Sequence, residues 1–294
     1  MLGMVTMYSK SHIKLSVVIV CYNNLEVLRD CLDSIEKYND IGQALEIVVV
    51  DNGTSNTTFD YVTNNYKNVK ILKNENKGFG QGNNIGFIAS RGEFILFLNP
   101  DTILIEPIFS FAIKCFESEP KLGLFGLKLI NTSGKWNLSF NYIDKHGLIY
   151  AQLIKVFHKI SYFSPGMMYI VGANLFMRRN VFSEIGMFDE EFFMYYEESD
   201  IAKRIRKLGY SIQYFPNKKI IHLEGASSLP NQKMLKIKMD SYKKYCEKYS
   251  IDFDKEVKKE TRRTYLKYLI LKAIDQEKSK DYKLLLEEMS MYND

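Results

Sequence analysis

Apolar and polar positions alternate in blocks along the first half of the chain. Leu15–Cys21, residues 45–50 and Phe94–Leu98 are short, almost wholly apolar runs, and 69–72 is a shorter one. Runs of this length read as strands buried on both faces, as in a parallel sheet. Between them the period changes. After Asn24, a residue type favoured at N-caps, Leu25, Leu28, Leu32 and Ile35 recur at helical spacing. A weaker helix is expected over 58–66, and a glycine-rich loop leads into another over 77–90. Strand and helix alternating in units of roughly 30 residues predict right-handed crossovers and a mostly parallel sheet flanked by helices.

Further on, 108–117 reads as a helix and Leu122–Ile130 as a strand. The aromatic-rich stretch 136–163 has no clear period and is expected to be a loop, a cover or irregular core. A single strand is predicted over 168–178, with Gly172 inside it, followed by a short helix over 179–185. The helix over 198–208 carries Ile201, Ile205 and Leu208 on one face and stops at Gly209. Pro216-Asn217 divides two short edge strands, 211–215 and 220–222. The first fourteen residues read as a frayed start. These blocks place an α/β domain over 1–229 and a Lys- and Tyr-rich helical tail over 230–294, in which Tyr242, Tyr245 and Tyr249 are spaced for one face, with no repeat and no low-complexity linker.

Composition narrows the picture only a little. The chain has 294 residues, 46% of them hydrophobic, enough for one large domain with a buried core and an appendage. A net charge of +5, concentrated after Gln232, suggests a weakly cationic face and argues against a nucleic-acid binder. The four cysteines show neither metal spacing nor a disulfide framework and read as free thiols in a reducing compartment. The four histidines are too scattered for a zinc motif. No apolar run approaches the ~20 residues that span a bilayer. The Leu15 run lacks the cleavage site of a signal peptide and is better explained as a strand.

Candidate chemistry collects at strand ends. Pro100 stops the Phe94–Leu98 strand and hands Asp101 to a loop at its carboxyl end, the sheet edge where ligands of open α/β folds bind. Asn99-Pro100-Asp101-Thr102 is either a turn or a loop presenting a carboxylate to a divalent cation and, through it, a diphosphate. Asp51, ending the second strand, either starts an Asx turn before Gly53 or contacts a nucleotide. The segment 76–86 misses the G-x-G-x-x-G spacing. It is a loop that admits a ligand to the backbone or a tight packing turn. Glu197, Glu198 and Asp200 sit at a helix start, where the dipole is expected to lower their pKa values. They are capping acids, or one of them is a base that accepts a hydroxyl proton. His222 is structural or a metal ligand.

Together, residues 17–23, Val48-Val49-Val50-Asp51-Asn52-Gly53-Thr54-Ser55, residues 76–84, Leu98-Asn99-Pro100-Asp101, residues 186–200 and residues 222–227 resemble family 2 inverting glycosyltransferases, specifically the bacterial rhamnosyltransferase-like branch. The resemblance covers about residues 15–228. It implies a GT-A fold, a Rossmann-like mixed and mostly parallel sheet, with a dTDP- or UDP-sugar donor and Mg²⁺ or Mn²⁺. Asp101 would be the metal-binding acid of the family's Asp-x-Asp motif and His222 a second ligand to metal or diphosphate. Asp51 would contact base or ribose, and Tyr22, Asn23, Asn76, Lys77, Gly78, Asn83 and Asn99 would complete the donor site. The general base falls on Glu198, with Glu197 and Asp200 as alternatives. Two departures stand out: Asn99 replaces the first Asp of Asp-x-Asp, and Glu198 replaces the usual Asp. The resemblance further implies a saccharide or lipid-linked acceptor in cell-surface polysaccharide synthesis. That suits a cytoplasmic enzyme whose tail rests on the inner leaflet or mediates dimerisation. A non-catalytic glycan-binding relative and a nucleotidyltransferase are the competing readings. The latter lacks its Arg-containing phosphate loop, since Tyr22-Asn23-Asn24 stands in that place.

Overall fold

The computed structural model describes residues 13–144, 148–223 and 232–292. The expected frayed start at 1–12, His146 and the family-like residues 224–227 lie outside them. The first half follows the blocks of the sequence: β1 (Leu15–Cys21), α1 (Leu25–Lys37), β2 (Leu45–Asp51), α2 (Thr57–Asn65), β3 (Val69–Lys73), α3 (Phe79–Ala89) and β4 (Phe94–Leu98). β5 (Thr102–Leu104), α4 (Phe109–Ser118) and β6 (Leu122–Ile130) come next. Then follow β7 (Phe140–Tyr142), α5 (Leu148–Ile160), β8 (Met168–Ile170), β9 (Asn174–Arg178), α6 (Arg179–Glu184), α7 (Glu197–Lys207) and β10 (Ser211–His222). Three helices close the chain: α8 (Gln232–Lys248), α9 (Phe253–Ile274) and α10 (Gln276–Ser290).

Eight strands form one sheet in the order β3-β2-β1-β4-β9-β6-β10-β5, and β7 pairs with β8 in a separate ribbon. The β3-β2-β1-β4 half is parallel, and β6 with β10 is parallel too, but β9 runs antiparallel between β4 and β6. The sheet is therefore more mixed than the βα alternation suggests. β1 and β4 are buried along nearly their whole length, because helices cover both faces. α3 packs so closely that a Cβ on Gly86 would come within 2.3 Å of Val18, and one on Gly82 within 2.8 Å of Val20. Those two glycines of the 76–86 segment serve packing.

Three expectations need correction. Residues 168–178 are two strands in two sheets, parted at Val171–Ala173, so that Gly172 sits in a bend instead of a ladder. Within the stretch 136–163, Phe140–Tyr142 and Leu148–Ile160 form regular elements, β7 and α5. Its period was hidden because α5 is apolar on two sides, burying Ile154 and His158 while exposing Ile149, Leu153, Val156 and Ile160. β10 is one twelve-residue strand and is not at an edge, lying between β6 and β5. Pro216 falls within the register shift between Phe215 and Lys219, where the ladder has no use for its missing N–H.

Candidate active site

The carboxyl ends of β1, β2 and β4 open on a cleft of about 380 Å³. Cys21, Tyr22, Asn24, Asn52, Asn76, Gly78, Asn99, Asp101, Gly172, Tyr195, Glu197 and Glu198 line it. Six segments far apart in sequence thus meet at the edge of a parallel half-sheet, the position from which open α/β folds bind ligands.

His222 is brought to Asp101 by a strand too short to be seen in the sequence. β5 pairs antiparallel with β10, setting His222 opposite Thr102, and the Leu223 N–H donates to the Asp101 carbonyl at 2.9 Å. His222 Nε2 lies 3.3 Å from Asp101 Oδ1. The loop is fastened from the other side as well: the Thr102 hydroxyl donates to the Asn99 carbonyl at 2.7 Å and the Asn99 N–H to Ala173 at 3.1 Å.

The acidic pair is held by unusual backbone. Tyr195 and Tyr196 both adopt left-handed conformations, φ 75° and 73°, directly before α7. Such strain in non-glycine residues persists only where the surroundings impose it, and it gathers at functional sites. α8 imposes it here. The Tyr196 ring stacks on Tyr242 at 5.1 Å and lies 5.2 Å from Tyr245, and the Ser241 hydroxyl donates to the Met194 carbonyl at 2.8 Å. Glu198 Oε1 accepts the Gly172 N–H at 2.9 Å, and a Cβ at Gly172 would lie 2.8 Å from that oxygen. Glu197 Oε2 is buried with no hydrogen-bond partner among the described residues.

Both carboxyls titrate above their ordinary range, contrary to the sequence expectation. Burial pushes Glu197 well up, with the neighbouring Glu198 charge adding to it, and burial pushes Glu198 up. Loss of solvent outweighs the helix dipole because burial shifts a carboxyl by up to several units, whereas the dipole supplies about 0.3–1 kcal/mol, under one unit. Glu197 is the more buried of the two, and its carboxyl is pushed up the further.

The remaining candidates divide. Asp200 is fully buried outside the cleft, where Arg204 and Lys248 pair with it and the Tyr249 hydroxyl donates to it at 2.6 Å. Asp51 is also fully buried. It accepts the Gly53 N–H at 2.8 Å and pairs with Lys73 at 3.0 Å, while its neighbours Cys21 and Asn52 face the cleft. Asn23, left-handed at φ 51°, accepts the Thr54 N–H at 3.2 Å. Lys77 points outward and pairs with Glu75, and Asn83 is buried, donating to the Phe79 carbonyl. Gly78 does face the cleft, and its φ of 113° and a would-be Cβ 2.3 Å from the Phe193 carbonyl admit only glycine. Sequence reasoning missed Asn24, Asn52, the hydrogen bond from the Gly172 N–H to Glu198 and the tyrosine clamp. The Tyr242, Tyr245 and Tyr249 spacing was the one available signal for the last. The cysteines are free, and burial pushes the Cys21 and Cys31 thiols up to about 12.

Among the described residues no cluster of three or more His, Cys, Asp or Glu side chains could hold a metal ion by itself. Asp101, which lines the cleft, and the buried His222 beside it offer one carboxylate and one imidazole. That pair fits Mn²⁺ or Mg²⁺ only if a ligand's phosphates and water complete the shell.

Comparison with known proteins agrees with this architecture. A poly-β-1,6-N-acetyl-D-glucosamine synthase of Staphylococcus aureus is 23% identical over 208 residues, 69% of this chain and 48% of that protein. The chain spans less than half the length of the curated relatives it matches, 24% of one and 48% of another. A mannosyltransferase of Pyrobaculum calidifontis, solved with GDP-Man and Mn²⁺, superposes with a TM-score of 0.58 at 14% identity, covering 80% of this chain and 64% of that one. GalNAc-T7, solved with UDP, GalNAc and Mn²⁺, gives 0.56 at 18% identity, over 78% and 48%. The fold is GT-A, with a C-terminal helical extension. The profile of glycosyl transferase family 2 runs over residues 16–186, from β1 through the turn after α6, and the chain belongs to that family.

Proposed function

We propose that this glycosyltransferase moves a hexosyl or rhamnosyl unit from a UDP- or dTDP-sugar to a saccharide or lipid-linked saccharide, with inversion at the anomeric carbon. The observation that carries the reading is that Asp101, touching His222, and Glu198, oriented by the Gly172 N–H, line one cleft. Glu198 takes the proton of the acceptor hydroxyl as its oxygen bonds to the anomeric carbon and the bond to the diphosphate breaks. Glu197, holding its own proton, keeps the second negative charge out of the pocket. Asn24, Asn52, Asn76 and Asn99 offer amide groups to the donor, with Tyr22, half-exposed at the rim, beside them. A divalent cation, Mg²⁺ or Mn²⁺, held by Asp101, His222 and the donor phosphates would neutralise the leaving nucleoside diphosphate.

The relative's name supports a place in polysaccharide synthesis, which we assign to the cell envelope. No helix among the described residues is long and apolar enough to cross a membrane. We place the enzyme in the cytoplasm, resting on the inner leaflet through exposed aliphatic side chains.

Release of nucleoside diphosphate from a panel of UDP-, dTDP- and GDP-sugars, with Mn²⁺ or Mg²⁺, tests the reading. At least one donor should be turned over, and Glu198→Gln should slow transfer by about 10²–10⁴-fold. Asp101→Asn should weaken donor binding in Mn²⁺. If no donor binds or is hydrolysed while glycan still binds, the chain is a glycan-binding module instead.

A further inference from the structure

A second and larger cleft, of about 480 Å³, lies between residues 136–142 with α5 on one side and helices α9 and α10 on the other. Four aromatic rings line it: Trp136, Tyr142, Tyr150 and Tyr282. Lys155, Arg263 and Lys267 also line it, against a single acid among the described residues, Glu260, which pairs with Arg263 at 3.2 Å. Three cations to one anion leave a positive wall.

The aromatic platform is preorganised. Trp136, 37% exposed, stacks on the His158 ring at 5.1 Å, and His158 is itself fixed by the Ser139 N–H at 3.0 Å and the Ile154 carbonyl at 2.7 Å. Flat rings of this kind take up the C–H faces of sugars, while the cations select carboxylate or phosphate. Two sets of contacts link the surroundings of this cleft to those of the transfer site. Asn137, next to Trp136, donates to the His222 carbonyl at 3.3 Å. A smaller hollow shares Glu260 and Leu285 with the cleft and reaches Tyr196, one residue before Glu197.

We propose that this cleft binds an anionic saccharide, the non-reacting length of the acceptor. The assignment to the acceptor rests on the glycosyl-transfer reading; the binding itself does not.

Trp136 is the chain's one tryptophan, so intrinsic fluorescence reports on the cleft directly. The probes are hexagalacturonate, which carries a carboxylate on each ring, and neutral maltohexaose of the same length. Hexagalacturonate should shift the emission saturably, with a response weakened by salt, and maltohexaose should bind at least tenfold more weakly. Lys155→Glu with Lys267→Glu should weaken hexagalacturonate binding by tenfold or more, with the melting temperature confirming that the variant is folded. Glu198→Gln should keep the full response. No response to either probe, equal responses to both, or binding unaffected by the double substitution overturns the proposal. A normal response in a protein that turns over no donor sinks the transfer reading and leaves the cleft; turnover without a response does the reverse.

Discussion

Glu197 and Glu198 are adjacent in sequence and share one helix start, yet their surroundings differ: Glu197 is buried, whereas Glu198 is half-buried and accepts the Gly172 N–H. Because the folded-state pKa of Glu197 is raised above its ordinary 4.5, its contribution to stability is complete below that value and is lost as pH rises through the folded pKa. Glu197→Gln should therefore melt at a higher temperature than the parent at pH 8 and at the same temperature near pH 4, as thermal melts across that range would show. A constant difference at all pH values would mean that the carboxyl is not held neutral. In turnover, the rate should rise with pH along a limb above the ordinary carboxylate range as Glu198 ionises. The sequence makes these acids visible as candidates but not the direction of their shift. That direction depends on burial under α8 and against Gly172, contacts made by residues 26 and more positions away.

At the scale of elements, α8 is a brace for the acidic pair. Besides the tyrosine stack, Lys244 donates to the Glu191 carbonyl at 2.6 Å, and Lys248 pairs with Asp189 at 2.5 Å and Asp200 at 2.7 Å. The whole segment from Asp189 to Asp200 is thus pinned along one helix. Tyr242→Ala removes the ring stacked on Tyr196 and frees a left-handed residue to relax. Misplacement of a catalytic group by about 1 Å costs on the order of 10²-fold. kcat should fall about 10- to 100-fold with little change in the donor KM; a fall in donor affinity with kcat intact would refute the brace. The tail's helical character and the tyrosine spacing were legible, but not what the tyrosines touch. β5 and the split of 168–178 were illegible for another reason. A three-residue strand and a bend at one glycine leave no periodic trace, and both are fixed by pairing partners more than a hundred residues distant or in another sheet.

At the scale of the molecule, alternation of apolar runs was enough to foretell the parallel half of the sheet and the edge where Asp101 lies. It could not show β9 running backwards between β4 and β6, since strand direction leaves no mark on a short buried run. Alternation also gave no warning of how much apolar surface stays outside. α5 exposes Ile149, Leu153, Val156 and Ile160 on one side, and α9 exposes Leu266, Leu269, Ile270 and Ile274. Contiguous patches of that kind are rare on free surfaces and mark interaction faces. Covering such a side chain contributes on the order of 1 to 2 kcal/mol, and each lysine near an anionic bilayer about 1 kcal/mol more. Lys155 and Lys159 on α5 and Lys272 on α9 stand among these aliphatics. A membrane face therefore predicts flotation with phosphatidylglycerol vesicles, loss of flotation at high salt, and little affinity for phosphatidylcholine alone. Leu153→Glu with Val156→Glu should leave the melting temperature nearly unchanged, because both positions are already open to solvent, while abolishing flotation. A chain that stays unbound at low salt but sediments as a dimer, and as a monomer once those two residues are charged, would show that the same face covers itself with a second copy.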